Sequence, residues 1–225
     1  MSRFYLWDLP TRLFHWGLAG AVFGALISVK LGAMVWHGRF GLAVIGLLTF
    51  RLCWGLWGST YARFSQFVHG PRGVLAYLQG RWQGVGHNPL GALSIVAILG
   101  LLVFQSVSGL FISDDIAFDG PLKRLVSNAT SGMLAGWHMR MEWVIYGLIA
   151  LHLGAIFVHS VLRGERLIGP MITGIGQAPG GMAIDASGGR WLGLMVALAV
   201  AAAVMWLANG ALVPPPPPPP PDLGW

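Results

Sequence analysis

Five apolar runs, each long enough to cross a lipid bilayer, dominate this chain: residues 13–31, 37–57, 90–112, 137–162 and 191–207. A helical span needs about 20 predominantly apolar residues to cross a hydrocarbon layer roughly 30 Å thick. Only 10% of the 225 residues are charged and 55% are hydrophobic. A water-soluble domain carries about 25% charged residues, so a chain this poor in charge has too little polar surface to face water all round. In lipid every backbone N–H and C=O must be satisfied within the segment, which makes each run a helix. The expected class is an all-α integral membrane protein.

The charges punctuate the runs. Lys and Arg exceed Asp and Glu by 14 to 8, giving a net charge of +6. They lie between the apolar segments rather than in a patch or stripe, so they read as topology signals and not as a nucleic-acid surface. Residues 58–89 carry Arg63, Arg72 and Arg81 with no acid. Residues 113–136 carry Asp114, Asp115 and Asp119 against Lys123 and Arg124. Arg3 and Arg12 precede the first run and Arg163 and Arg166 follow the fourth, whereas Lys30 and Arg39 between runs one and two count the other way. The balance places the N-terminus in the cytoplasm, and five spans then put the C-terminus outside. Asp8 and Pro10, with no Ala-x-Ala cleavage site, mark the first run as a retained span and not a signal peptide.

Between the spans, Asn88-Pro89 reads as an N-cap and first helical position opening the third helix. Residues 68–82 are partly apolar and suit the inner membrane face, and the Gly-rich residues 173–189 read as a loop. The tail, residues 213–225, contains eight consecutive prolines, residues 214–221. Such a run forms an extended polyproline II rod about 25 Å long, suited to docking a partner on the outer surface with Trp225 as an anchor, or to acting as a passive spacer. Cys53 is the single cysteine, and no C-x-x-C-H attachment string is present, so any haem is held by coordination and packing.

Seven histidines remain to be explained. An ionisable side chain within a span is costly and points to function. His138 and His152 are fourteen residues apart on one run. At ~100° and 1.5 Å per residue they face within about 40° of each other, some 21 Å apart along the axis. That spacing suits two stacked haem irons, each needing a second ligand from another helix. His15 near the start of run one lies at the depth of His152, and His37 at the start of run two lies at the depth of His138. The expected pairs are therefore His15 with His152 and His37 with His138. His159, seven residues after His152, shares much the same face and is a rival. A single intramembrane histidine can also simply bond to a neighbouring helix. His69 and His87 read as loop or interface residues. Arg12, one turn before His15, and Arg51, fourteen residues after His37, are placed to pair with the propionates of the inner haem, the alternative being that they snorkel to headgroups.

The strings at these positions resemble the bacterial cytochrome b561 family, which is similar to the b-type cytochrome subunits of nickel–iron hydrogenases. They are WDLPTRLFHW at 7–16, HGRFG at 37–41, FRLCWGLWGSTYARFSQFVHGP at 50–71, GHNPLG at 86–91, LHLG at 151–154 and the segment 164–174 ending in MITG. HGRFG alone is weak; the first, third and fourth strings are specific in combination. The resemblance implies a four-helix transmembrane bundle carrying two haems b and exchanging electrons with the quinone pool of the bacterial inner membrane. It also implies ligands at His15, His37, His138 and His152. The family usually ends near Gly174, and its frequent Glu-Asn-Leu reads Glu165-Arg166-Leu167 here.

The chain divides accordingly into a four-helix domain at 1–174, a Gly-rich linker at 175–189, a fifth span at 190–212 and the polyproline tail at 213–225. The expected function is a dihaem electron-transfer subunit working between quinone and a redox partner, either a periplasmic redox protein or other subunits of a membrane complex. A structural subunit that anchors a larger complex is the alternative. A proton-conducting transporter is disfavoured by the few acids within the spans, since proton relays commonly use Asp or Glu.

Overall fold

The computed structural model describes residues 2–84, 86–114, 116, 118–178 and 184–214. Residues 215–225, on which the expected polyproline rod and the Trp225 anchor fall, the Gly-rich residues 179–183 and Asp115 lie outside the described residues. The elements in chain order are β1 (Ser2–Tyr5), α1 (Leu9–Lys30), α2 (Met34–Trp57), α3 (Phe64–Phe67), α4 (Pro71–Leu78), α5 (Pro89–Gly109), α6 (Asn128–Phe157), α7 (Ile168–Thr173), β2 (Ile175–Ala178) and α8 (Trp191–Ala208). Helices α1, α2, α5 and α8 are long and apolar enough to cross a membrane, as is α6 with the turn that extends it to Leu162. The protein is a multi-pass, all-α membrane protein whose only regular addition among the described residues is a short pair of strands.

Three of the five long helices, α1, α5 and α6, start where a side chain satisfies a free N–H group, whereas α2 and α8 start without one. Asp8 caps α1 by accepting from the Thr11 N–H at 2.7 Å, with Pro10 in the first turn. Asn88 caps α5 by accepting from the Gly91 N–H at 2.8 Å, and Pro89 follows it as expected. The fourth span differs from expectation. Ser127 accepts from the Thr130 N–H at 3.1 Å and starts α6 at Asn128, nine residues before the apolar run begins at Trp137. Hydropathy reports where lipid contact begins, whereas the cap decides where the helix begins. His138 therefore lies in the third turn of α6, not at its edge. At the other end α6 loosens into a π-helical turn, Val158–Leu162.

Helices α1 and α2 form a close antiparallel pair, joined by a turn in which Gly32 takes φ of 69°. Gly24 on α1 lies flat against the Phe40 ring, where an added methyl has no room. Helix α8 packs along α2, with Ala197 and Ala201 in the main core. There Gly46 admits the Met205 sulfur, and Trp57 donates from Nε1 to the Gly193 carbonyl at 2.9 Å. A Gly46→Leu substitution overfills this contact by several methylenes, which costs about 1–3 kcal/mol. The expected result is a lowered midpoint of thermal unfolding and easier proteolysis around α8. Ligand binding elsewhere should be unchanged, measured on the same preparation.

The segment after α6 returns to the N-terminus. Strand β2 pairs antiparallel with β1, with Tyr5 opposite Ile175. The Leu6 N–H donates to the Gly174 carbonyl at 2.8 Å, and Trp16 donates from Nε1 to the Met171 carbonyl at 3.2 Å. The first four residues of the expected linker thus belong to this clip. It ties the end of α6 to the start of α1, the two helices that carry His152 and His15.

Candidate functional site

Helix α6 packs along α5 and approaches α1 and α2 mainly through side chains. Of its residues, Ser131 and Ile145 are the buried ones. His138 nevertheless faces His37 of α2 across the interior of the bundle.

On the side away from the N-terminus, His37 and His138 meet with ring centres 6.2 Å apart and planes at 82°. His37 donates from Nδ1 to the Ala25 carbonyl at 2.9 Å. A carbonyl can only accept, so the proton is on Nδ1 and the lone pair on Nε2. His138 places Nδ1 3.0 Å from the Ser108 hydroxyl, which itself donates to the Gln105 carbonyl at 3.0 Å. With the hydroxyl proton committed there, Ser108 accepts from His138, and again the lone pair falls on Nε2. This is the tautomer that a metal ligand needs, oriented by a partner on the far ring nitrogen. Given metal–nitrogen bonds of roughly 2.0 Å, two imidazoles on opposite sides of one metal have ring centres about 6 Å apart. Gly41, one turn after His37, has open space where a methyl would be, while Gly109 lets the His138 ring lie close to α5. His37 and His138 would together hold a haem iron between them, and the residues around them fit that group.

On the N-terminal side the structure brings His15, His152, Arg51 and His87 together. His15 Nδ1 is buried and has no hydrogen-bond partner among the described residues. A buried polar nitrogen left without a partner is rare, and a group bound at this position would account for it. His159, the rival ligand, pairs through Nδ1 with Glu165 Oε2 at 2.9 Å in the turn beyond α6. It is His152 that acts electrostatically on His15 and on His87.

His87 was expected to be a loop residue, and it is in a loop, but an enclosed one. Its ring lies 4.6 Å from that of Trp7 and 5.1 Å from that of Phe67. Burial, then the positive charge of Arg51, then His152 and His15 hold it far below the usual imidazole range, at about 3. Nothing in the sequence around His87 signals this, since the enclosing rings come from two distant segments. The unfolded chain binds a proton near pH 6.5, while the folded protein takes it up only near 3. Between those values the unfolded state holds more protons, so stability falls as pH falls. His87→Phe, which keeps the ring contacts, should flatten that decline in thermal unfolding measured from pH 7 to pH 4.

Both arginines bond to backbone carbonyls. Arg51 is 5% exposed and donates from Nη1 to the Ala62 carbonyl at 2.9 Å, with its guanidinium 4.6 Å from the Phe64 ring centre. Arg12 donates from Nη1 to the Ile172 carbonyl, and its Nε is buried with no partner among the described residues. Beside them Asp8 uses its second oxygen to accept from Trp54 Nε1 at 2.9 Å. That buried Asp–Trp bond between α1 and α2 was not read from the sequence.

Five apolar spans with histidines facing across the bundle fit the class of membrane cytochromes. Residues 6–174 match the family described as prokaryotic cytochrome b561, and the chain belongs to that family. The match ends before β2, so helix α8 lies outside it. No curated protein and no solved structure matches the chain.

Proposed function

We propose that this protein holds two haems b and passes electrons between the quinone pool and a redox partner protein. It would do so in the bacterial inner membrane, with its N-terminus in the cytoplasm. His37 and His138 hold one haem, His15 and His152 the other. The observation that carries the reading is the pair of Nδ1–H bonds, His37 to Ala25 and His138 to Ser108, which leave two Nε2 lone pairs for one iron. Bound haem supplies reversible one-electron chemistry at iron. The chain's residues supply the rest. The imidazoles stay neutral and fixed in orientation, and the apolar helices keep water from the irons. Arg12 and Arg51 offer positive charge and N–H donors to propionates on the N-terminal side.

The test is to reduce the purified haem-loaded protein and add ubiquinone-1 or menadione under anaerobic conditions. Reoxidation of the haem bands is expected; a haem spectrum that stays reduced contradicts the quinone assignment. A second measurement addresses Arg51, which lies fourteen residues after His37 and hence about 21 Å along α2. Its charge favours the reduced form of the nearer haem, and coupling falls with distance. Arg51→Gln should lower one of two midpoint potentials and leave the other nearly unmoved.

A further inference from the structure

Between α1 and α6, on the side away from the N-terminus, a groove of about 320 Å³ opens toward the lipid. Phe23, Leu26, Ile27 and Ile149 form its walls, and Lys30 and Tyr146 its polar end. Ile27 is 57% exposed and Leu31 76%, so the slot is reached from the bilayer. Glu142 organises the polar end, with one oxygen 2.7 Å from Lys30 Nζ and accepting from the Tyr146 hydroxyl at 2.6 Å. Glu142 is one turn after His138 and interacts with it electrostatically. A Lys–Glu pair on lipid-facing helices is costly and is kept where it has work to do. The volume is at the low end of the roughly 300–1,000 Å³ typical of small-ligand sites, which are apolar with a few placed polar groups.

We propose that this groove binds the headgroup of a membrane quinone, an inference that rests on the quinone-linked reading above. The ligand that fits is a flat ring with an oxygen at each end and an apolar tail that stays in lipid. Lys30 has three N–H donors and gives one to Glu142, leaving two for a quinone carbonyl. The Glu142 carboxylate accepts from the hydroxyl of the reduced form. Phe23 and Ile27 flank the ring. The site thereby lies one helical turn from the ligand of the outer haem.

The test uses the full-length haem-loaded protein in nanodiscs with an azido-ubiquinone photolabel, read by peptide mapping. Label is expected on the α1 segment 23–31 and the α6 segment 142–149, and excess ubiquinone-1 should compete it away. Ile27→Trp, which fills the slot, should cut labelling at least tenfold with the haem spectrum unchanged. Tyr146→Phe, a smaller change that leaves the fold its ring, should reduce labelling several-fold. Label elsewhere, or undiminished label in both variants, with ubiquinone-1 still reoxidising the haems, overturns the placement and leaves the quinone-linked function standing. Failure of ubiquinone-1 to reoxidise the wild-type haems overturns that function and this site with it.

Discussion

His138→Ala should leave the protein with one of its two haems, and His152→Ala should leave it with the other. The two positions face the same side of α6 and are about 21 Å apart along it, so losing one ligand need not disturb the other site. His138 also contacts α5 through Ser108 and the Gln105 amide, which donates to its backbone carbonyl at 2.9 Å. That second bond survives the substitution and keeps α5 and α6 together. Ser108→Ala should act more weakly. Partners of ligating imidazoles typically change affinity by about 10–100-fold when removed, so the outer haem should bind but be lost on dilution. His159→Ala should retain both haems, because His152 and not His159 is the histidine whose charge acts on His15; the Glu165 bond occupies only Nδ1 of His159. A His159→Ala protein with one haem, beside a His152→Ala protein with two, would overturn the ligand assignment.

Asp8→Ala should be among the most destabilising single substitutions in the chain. One carboxylate here serves three groups. It caps α1 at the Thr11 N–H, accepts from the buried indole of Trp54, and is the acid whose charge acts on Arg51. Loss of a cap costs about 1 kcal/mol, and a buried donor left unpaired costs about 1–3 kcal/mol. Together these suggest a loss of roughly 2–4 kcal/mol, with the Arg51 contribution in the same direction. Asp8→Asn keeps an acceptor for either N–H but not the charge, and should fall between. Trp54→Phe in an Asp8→Ala background should cost less than in the wild type, because the indole N–H is then already orphaned. Thermal unfolding of the four proteins measures this; additive losses would show that the two side chains are not coupled.

The helical class and the five spans were legible because membrane helices must be apolar over a fixed length. The starts of α1 and α5 were legible through their neighbouring prolines. The start of α6 was not, because Ser127 lies in a polar stretch with no proline beside it. The approach of His37 to His138 followed from helical period and antiparallel depth, two rules that act over whole spans. What orients those histidines did not follow. One partner is a backbone carbonyl at Ala25 and the other a hydroxyl on a different helix, and neither leaves a local pattern. The clip of β1 on β2 escaped for a similar reason, since it joins two four-residue segments that flank the family match on either side. Lys30 was read as a charge that ran against the topology count. Its ion pair with Glu142 shows that it is engaged with α6.

Two haems b held by four histidines would fix both a stoichiometry and a spin state. The most direct measurement is the pyridine haemochrome content of the purified full-length protein, quantified against amino-acid analysis, with low-temperature EPR of the oxidised form. Two protohaems per chain, both low-spin with two imidazole ligands, is the expected result. A single haem, or a high-spin iron with one imidazole, would contradict the account.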